Sequence, residues 1–378
     1  MSDRIMPLGL YIHVPFCRTR CHFCAFYLQI HREDRGRDYL VSLEREVRLH
    51  AAVGTLRGRT LETVYFGGGT PTALSPEQLL GILGTVRRHL NVQGRAEITI
   101  EAHPDTVTHA GLRSLWEAGF NRISFGAQSM DEQELLQVGR RTGGRHTVAA
   151  VELARRVGFG NINLDLIYGL PGQTLESWRT TLDETVALAP THVSCYAFTI
   201  EPHTRFAVDL HRGDIREPDA TLQNSMEEEA AERLTKAGLH RYEISNYARP
   251  GYACAHNLLY WTGAEYLGLG PSAQSFLDGY RFGNVEDLAA YSSALAAGRL
   301  PIQERESLSL RQQQREAFIF GLRRTDGTRP GSALTEDHEW AIRVEHLLSQ
   351  GLLEKRDGRL RLTPLGIRFA DTVAAELI

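Results

Sequence analysis

The sequence predicts an α/β protein built on a partial (β/α)6 barrel and followed by a small C-terminal α+β domain. Over the first two hundred residues, short apolar strands alternate with amphipathic helices, which is typical of parallel strands joined by crossover helices. Six such units are present, two fewer than a closed eight-stranded barrel needs. The segment from residue 301 has instead the helix, helix, hairpin, helix order of a winged helix.

The six predicted strands are short apolar runs bounded by turn residues. They lie at residues 8–14, 63–66, 97–101, 122–125, 161–167 and 192–198. Helical patterns between them lie near residues 36–52, 76–90, 107–118, 144–157 and 175–188. Ser75 and Pro76 mark one helix start, because serine caps a helix N-terminus and proline suits the first helical position.

At roughly 150 residues per domain, the chain is long enough for more than one domain, and we expect three parts. Residues 1–200 form the barrel core, residues 201–300 an extension of the barrel, and residues 301–378 the winged-helix-like domain. The extension has a helix near 217–237 and then a stretch rich in glycine and aromatic residues. In the last part, helices at 310–322, 339–350 and 364–377 surround a hairpin at 352–362.

Charge and hydropathy exclude several classes of protein. The net charge is −4, whereas a general nucleic-acid binder usually has a basic excess. Residues 301–378 hold 12 Arg and Lys against 12 Asp and Glu, so we expect this domain to pack or to act as a lid rather than to bind DNA. No run approaches 18 apolar residues, which excludes a transmembrane helix. Residues 1–7 lack the apolar run of a signal peptide. We therefore expect a cytoplasmic protein, with peripheral membrane association left open.

Three of the five cysteines are clustered. Cys17, Cys21 and Cys24 have the spacing C-x3-C-x2-C directly after the first strand. A structural zinc site uses four ligands, and no fourth cysteine is near in the sequence. A [4Fe–4S] cluster held by three cysteines keeps one iron open to a substrate or cofactor. Of the others, Cys195 lies on an apolar strand, where we expect core packing.

Further candidates follow the other strands. Gly67-Gly68-Gly69-Thr70 comes after the second, Glu101 ends the third, Gln128 follows the fourth, Asp165 ends the fifth and Thr199 follows the sixth. Because the carboxyl ends of parallel strands meet at one face of a barrel, we expect these residues and the cysteine loop to form one site.

The cysteine spacing, with aromatic Phe23 before the third cysteine, resembles the radical S-adenosylmethionine (SAM) superfamily. The resemblance implies a [4Fe–4S] cluster on Cys17, Cys21 and Cys24, SAM bound at the open iron, and a flavodoxin or ferredoxin as electron donor. The partial (β/α)6 barrel is the architecture of that family.

Within this superfamily, the chain resembles the oxygen-independent coproporphyrinogen III dehydrogenase-like branch. The motifs that carry the resemblance are NRISFGAQS from Asn121, DLIYGLPG from Asp165 and YEISNY from Tyr242. It implies SAM contacts at matching positions: Tyr11, Phe23, Gly68, Gly69, Thr70, Glu101, Gln128, Arg140, Asp165 and Thr199.

A second motif, His256-Asn257-Leu258-Leu259-Tyr260-Trp261, is similar to the HNxxYW motif of the HemW haem chaperones. The resemblance implies that His256 binds haem and that the haem passes to acceptor haemoproteins. Histidine is a common axial ligand of haem iron, and Cys254 is a candidate second ligand. A buried histidine bonded within an aromatic-rich loop is the alternative reading of the same residues.

Other functions remain open at this point. The dehydrogenases carry a further cysteine where this chain has Phe26, which argues against porphyrinogen decarboxylation. Ala25, the His103–Asp105 segment and Gln274 depart from the usual HemW pattern, which leaves a radical SAM methyltransferase of the related class as a rival. A structural barrel that binds zinc is the remaining alternative.

Overall fold

The computed structural model describes residues 8–54 and 56–378. The strands, in chain order, are β1 (Leu8–Val14), β2 (Phe16–Cys17), β3 (Gln29–Ile30), β4 (Leu61–Gly68), β5 (Val92–Ala102), β6 (Arg122–Gln128), β7 (Asn161–Tyr168), β8 (His192–Ala197), β9 (His240–Arg241), β10 (Asn246–Ala248), β11 (Glu265–Leu269), β12 (Gln274–Leu277), β13 (Tyr280–Asn284), β14 (Ile302–Ser307), β15 (Leu353–Arg356) and β16 (Arg359–Leu362).

The α-helices, in the same order, are α1 (Glu33–Val53), α2 (Pro76–His89), α3 (His109–Glu117), α4 (Glu132–Gln137), α5 (Gly144–Val157), α6 (Leu175–Ala187), α7 (Arg205–Arg212), α8 (Ala220–Lys236), α9 (Ala255–Trp261), α10 (Leu288–Ala296), α11 (Leu310–Gly321), α12 (Ser332–Thr335), α13 (His338–Ser349), α14 (Pro364–Arg368) and α15 (Ala370–Leu377). None of these helices has the length and the hydropathy needed to cross a bilayer.

The predicted α/β barrel class is confirmed. Strands β1, β4, β5, β6, β7 and β8 are neighbours in that order and pair in parallel. They are buried on both faces, as in β1, where Leu10 and Ile12 lie on one face and Gly9 and His13, buried as well, lie on the other. One face is covered by helices, as is usual for a parallel sheet. The helix starts follow the sequence signals: Ser75 and Gln78 form a capping box at α2 with Pro76 in the first turn.

The sheet continues beyond β1, which the sequence did not indicate. Strand β11 pairs with β1 in parallel, and β12, β13 and β14 follow as an antiparallel extension. This extension comes from the glycine- and aromatic-rich stretch, and it reaches residue 307.

The C-terminal segment has its own core, built on Phe318, Trp340, Leu347, Leu353 and Val373. The hairpin of β15 and β16 forms in the predicted place. The helix predicted over residues 364–377 is instead two helices, α14 and α15, because Phe369 between them leaves the helical conformation (φ −111°, ψ 27°). The division into three domains remains a proposal. Residues 1–7, on which the expected cytoplasmic location rested, lie outside the described residues.

Candidate functional site

The cysteine loop begins where β1 ends. Cys17 is buried on the short strand β2, while Cys21 and Cys24 are partly exposed, and all three are free thiols. Burial raises the pKa of the Cys17 thiol to about 11 and also raises that of Cys24, and the neighbouring cysteines add to both shifts. Arg140 acts in the opposite direction on both thiols. Two neighbouring thiols, Cys17 and Cys24, that resist ionisation on their own fit a cationic iron–sulfur centre, which would stabilise them as thiolates.

A single metal ion is a different case. Within residues 8–54 and 56–378, no three or more His, Cys, Asp or Glu side chains lie close enough together to hold one ion. An iron–sulfur cluster does not need its ligands to meet at one point, because each thiolate binds a different iron atom of the cluster.

The glycine turn after β4 lies directly against the cysteine strand. The N–H of Gly69 donates to the Val14 carbonyl (2.9 Å) and that of Thr70 to the Phe16 carbonyl (2.7 Å). The Thr70 hydroxyl lies 3.3 Å from the Cys17 sulfur. A Cβ atom on Gly69 would lie 2.6 Å from the Phe16 oxygen, so only glycine permits this approach. The amide groups of Gly69 and Thr70 are therefore used within the fold. The Thr70 carbonyl is also used, since it accepts from the Ala73 N–H (2.8 Å). The Thr70 side chain is therefore the group of this residue that is left for the SAM contact implied by the resemblance.

Two carboxylates follow the expected strands: Glu101 lies at the carboxyl end of β5, whereas Asp165 lies within β7, three residues before its end. Glu101 accepts a hydrogen bond from the Tyr65 hydroxyl (2.7 Å), and burial and nearby Asp165 raise its pKa to about 7. Asp165 accepts hydrogen bonds from Ser124 (2.8 Å) and Asn163 (2.9 Å). Both carboxylates can accept hydrogen bonds from the hydroxyls of a sugar.

The other predicted contacts differ in their placement. Gln128 ends β6 with a positive φ of 68°, and Arg140 donates to the Gly126 carbonyl, so both lie at the barrel mouth. Thr199 is exposed just after β8. Phe23 packs against the small cluster of Val138, Ile167, Leu170, Phe198 and Phe206. Its ring is therefore largely committed to packing against this cluster.

Helix α9, which carries the HNxxYW motif, packs against β1 and β4 inside the barrel. His256 is 1% exposed. Its Nδ1 lies 2.7 Å from the Thr63 hydroxyl and its Nε2 lies 2.8 Å from the Tyr260 hydroxyl. Its ring also stacks on Tyr65 at 5.0 Å between centroids, and burial lowers its pKa to about 3. The histidine is thus neutral, buried and bonded at both nitrogens.

Cys254, the candidate second haem ligand, is also enclosed. It is fully buried, its thiol lies 3.4 Å from a Glu97 carboxylate oxygen, and burial raises its pKa to about 12. It has no exposed surface for a ligand in this conformation.

The role of Glu97 was not predicted from the sequence. It accepts hydrogen bonds from the N–H groups of Ala255 (3.0 Å) and His256 (3.1 Å) at the start of α9. A carboxylate at a helix N-terminus pairs with otherwise unbonded N–H groups and with the helix dipole. The sequence did contain a signal for a polar barrel interior, because polar residues recur at every second position, at 63 and 65 on β4 and at 97 and 99 on β5.

We expect Glu97→Gln to loosen α9 and to lower the free energy of unfolding by about 2 kcal/mol, since the amide can accept only one of the two hydrogen bonds and carries no charge. Urea denaturation measures this loss. Glu62→Gln on the exposed face of β4 is the matched control, and equal stability of the two variants would contradict the capping role.

A cavity of about 430 Å³ lies beside the cysteine loop, between α11 and strands β11 to β13. Tyr260 and Trp261 line it, whereas His256 does not. The α11 residues that line it are one face of that helix, at positions 313, 316, 317 and 320. Phe26 and Phe320, 65% and 40% exposed, also belong to its lining. A largely apolar, aromatic cavity of this size suits a flat organic ligand.

The comparisons with known proteins agree on the superfamily. A model of the radical SAM superfamily matches residues 11–185, and a model of the HemN C-terminal domain matches residues 308–369. A Mycobacterium tuberculosis protein named heme chaperone HemW is 36% identical, over 98% of this chain and 95% of its own. The Bacillus subtilis protein of the same name is 33% identical, over 94% and 95%. Among solved structures, coproporphyrinogen III oxidase HemN from Escherichia coli superimposes with a TM-score of 0.85 at 26% identity, covering 98% of this chain and 90% of that one.

Proposed function

This chain belongs to the HemW family of radical SAM proteins, and from that membership we propose that it binds haem and passes it to acceptor haemoproteins. The observation that carries the proposal is the apolar cavity beside the cysteine loop, which has the two aromatic residues of the HNxxYW motif in its lining. Apolar and aromatic walls favour a porphyrin, because burying its faces removes a large apolar surface from water.

Membership of the radical SAM superfamily implies a [4Fe–4S] cluster and SAM, and the residues present fit both groups. Cys17, Cys21 and Cys24 would hold the cluster, with Thr70 beside the Cys17 sulfur. Glu101 and Asp165 would accept hydrogen bonds from the ribose of SAM, and Arg140 would keep positive charge near the thiolates. When bound, the cluster supplies an open iron and a low-potential electron, which a flavodoxin or ferredoxin would deliver.

Tyr11 connects the two parts of the proposed site. Its ring lies near Tyr65 and His256 in the barrel interior, and it also lines the cavity. Bound SAM and bound haem would therefore share a wall, so that each is positioned beside the other.

Haem titration of the anaerobically reconstituted protein tests this proposal. We expect haem to bind saturably, with one haem per chain. We also expect the reconstituted protein to contain iron and sulfide, and to lose both when Cys17, Cys21 and Cys24 are replaced by serine. Transfer to an apo-haemoprotein should accelerate with acceptor concentration, whereas passive release should not. Binding that never saturates, with S-adenosylhomocysteine as a product, would favour the methyltransferase. A vinyl product from coproporphyrinogen III would favour the dehydrogenase, and zinc without sulfide a structural barrel.

A further inference from the structure

The HNxxYW motif places a histidine and a tyrosine on one side of α9. His256 and Tyr260 are four residues apart, so they are neighbours on the helix surface, and the His256 Nε2 and Tyr260 hydroxyl are 2.8 Å apart. The histidine is held from behind by the Thr63 hydroxyl at 2.7 Å. An iron atom can reach neither imidazole nitrogen without breaking one of these hydrogen bonds. Tyr260, by contrast, already lines the cavity.

We propose that ferric haem is held in this cavity by the phenol oxygen of Tyr260, and that His256 is a positioning residue for that oxygen. The inference rests on the proposed haem-binding function and names the iron ligand within it. It replaces the assignment of His256 as the ligand that the motif alone suggested. Tyrosine is an established axial ligand of haem iron, and an anionic oxygen is a suitable donor for ferric iron.

The coordination step conserves charge and protons and changes no oxidation state. The Tyr260 O–H bond breaks, the oxygen forms a bond to ferric iron, and the proton combines with the hydroxide ligand that leaves the iron as water. The Thr63 hydroxyl both donates and accepts. The neutral imidazole can therefore offer either its Nε2 lone pair to the free phenol or an Nε2–H to the coordinated oxygen.

The surroundings of Tyr260 keep its ring in place. It makes an edge-to-face contact with Tyr266 at 4.6 Å between centroids. The turn that follows α9 is pressed against α11, since a Cβ atom on Gly263, whose φ is +66°, would lie 2.5 Å from the Ala317 Cβ. The two walls of the cavity, β11 through Tyr266 and α11 through Ala317, therefore both contact α9 or the turn that follows it. Exposed Phe26 and Phe320, which also line the cavity, offer apolar contacts to the outer part of a porphyrin.

The test is a titration of the full chain with ferric haem, followed by absorption and resonance Raman spectroscopy. We expect the wild-type protein to show an iron–tyrosinate vibration. Tyr260→Phe should lose that vibration and bind haem at least tenfold more weakly. His256→Gln should keep the vibration at a shifted frequency. Tyr252→Phe is the matched control, because it removes a phenol hydroxyl from an exposed tyrosine that does not line the cavity, and it should resemble the wild type.

Iron-free protoporphyrin separates ligation from folding. Tyr260→Phe should bind it as tightly as the wild type does, since the apolar walls remain. An unchanged haem spectrum in Tyr260→Phe would overturn the inference while leaving haem binding intact. Loss of an iron–histidine signal in the His256 variant, with Tyr260→Phe unaffected, would make His256 the ligand. A wild-type protein that binds neither haem nor protoporphyrin would contradict the proposed function itself.

Discussion

Gly69→Ala is expected to prevent assembly of the iron–sulfur cluster and to destabilise the protein by about 3 kcal/mol, near the upper end of typical overpacking costs. The added methyl group would lie 2.6 Å from the Phe16 oxygen and 3.0 Å from two further Phe16 backbone atoms. The backbone of Phe16 cannot rotate away from the methyl group as a side chain could. The turn after β4 must therefore move away from β2, the strand that carries Cys17. That separation breaks the hydrogen bonds from Gly69 and Thr70 and moves Thr70 from Cys17.

Two measurements check this prediction: iron and sulfide content after anaerobic reconstitution, and the urea midpoint of the protein without the cluster. Gly81→Ala is the matched control, because Gly81 lies in helix α2 and an added Cβ there meets nothing within 4 Å. We expect this control to stabilise the protein by about 0.5–1 kcal/mol, since alanine favours helix over glycine. A Gly69→Ala protein with normal iron, sulfide and midpoint would show that the close approach is not required.

The features that were predictable from the sequence are those with a local signal. The six parallel strands are apolar runs, because a sheet covered on both faces leaves no position for solvent-facing residues. The cysteine loop was found because its three thiols lie within eight residues. The HNxxYW motif was also visible, but the setting of His256 was not, because its partner Thr63 lies 193 residues away.

The antiparallel extension was not predicted for a related reason. Strands β11 to β13 are only four or five residues long and contain Gly268 and Gly283, which lower strand propensity. They form because β1 and the α1–α10 pair provide a surface to pack on, and such long-range support has no signature in a single segment. The same holds for Glu46, which looks like an ordinary polar residue of α1 and is completely buried.

Glu46 is expected to make the stability of this protein depend on pH. Its carboxylate accepts hydrogen bonds from the Gly270 N–H (2.8 Å), Asn284 (2.6 Å) and the Tyr291 hydroxyl (2.6 Å), which connect α1 to β13, α10 and the end of β11. Burial nevertheless dominates, and it raises the pKa of Glu46 from 4.5 to about 7. The folded protein therefore binds the proton more tightly than the unfolded chain does. Stability from this group is highest below about pH 4.5, falls as the pH rises to about 7, and stays low above it.

Glu46→Gln isolates this effect, because an amide does not ionise. Glutamine offers one acceptor oxygen where the carboxylate offers two, so the variant is expected to lose some stability at every pH. The decisive quantity is the free energy of unfolding of the variant minus that of the wild type, followed as a function of pH. Between pH 4.5 and 8 we expect this difference to rise by about 3 kcal/mol, so that the variant gains stability relative to the wild type. The magnitude follows from the pKa difference between folded and unfolded chains, since each pKa unit corresponds to about 1.4 kcal/mol. Denaturant melts at several pH values measure it, and other titrating groups such as Glu101 cancel in the comparison.

Glu44→Gln on the same helix is the control, because Glu44 is partly exposed and pairs with Arg48 on the surface. Its difference from the wild type should change by less than about 0.5 kcal/mol over the same range, as expected for a helix-surface pair. If the Glu46→Gln difference were equally flat, the carboxyl group would have the same pKa in the folded and unfolded chains. The three donors would then fully offset the cost of burying its charge, and the α1 contact with the extension would hold equally well at every pH.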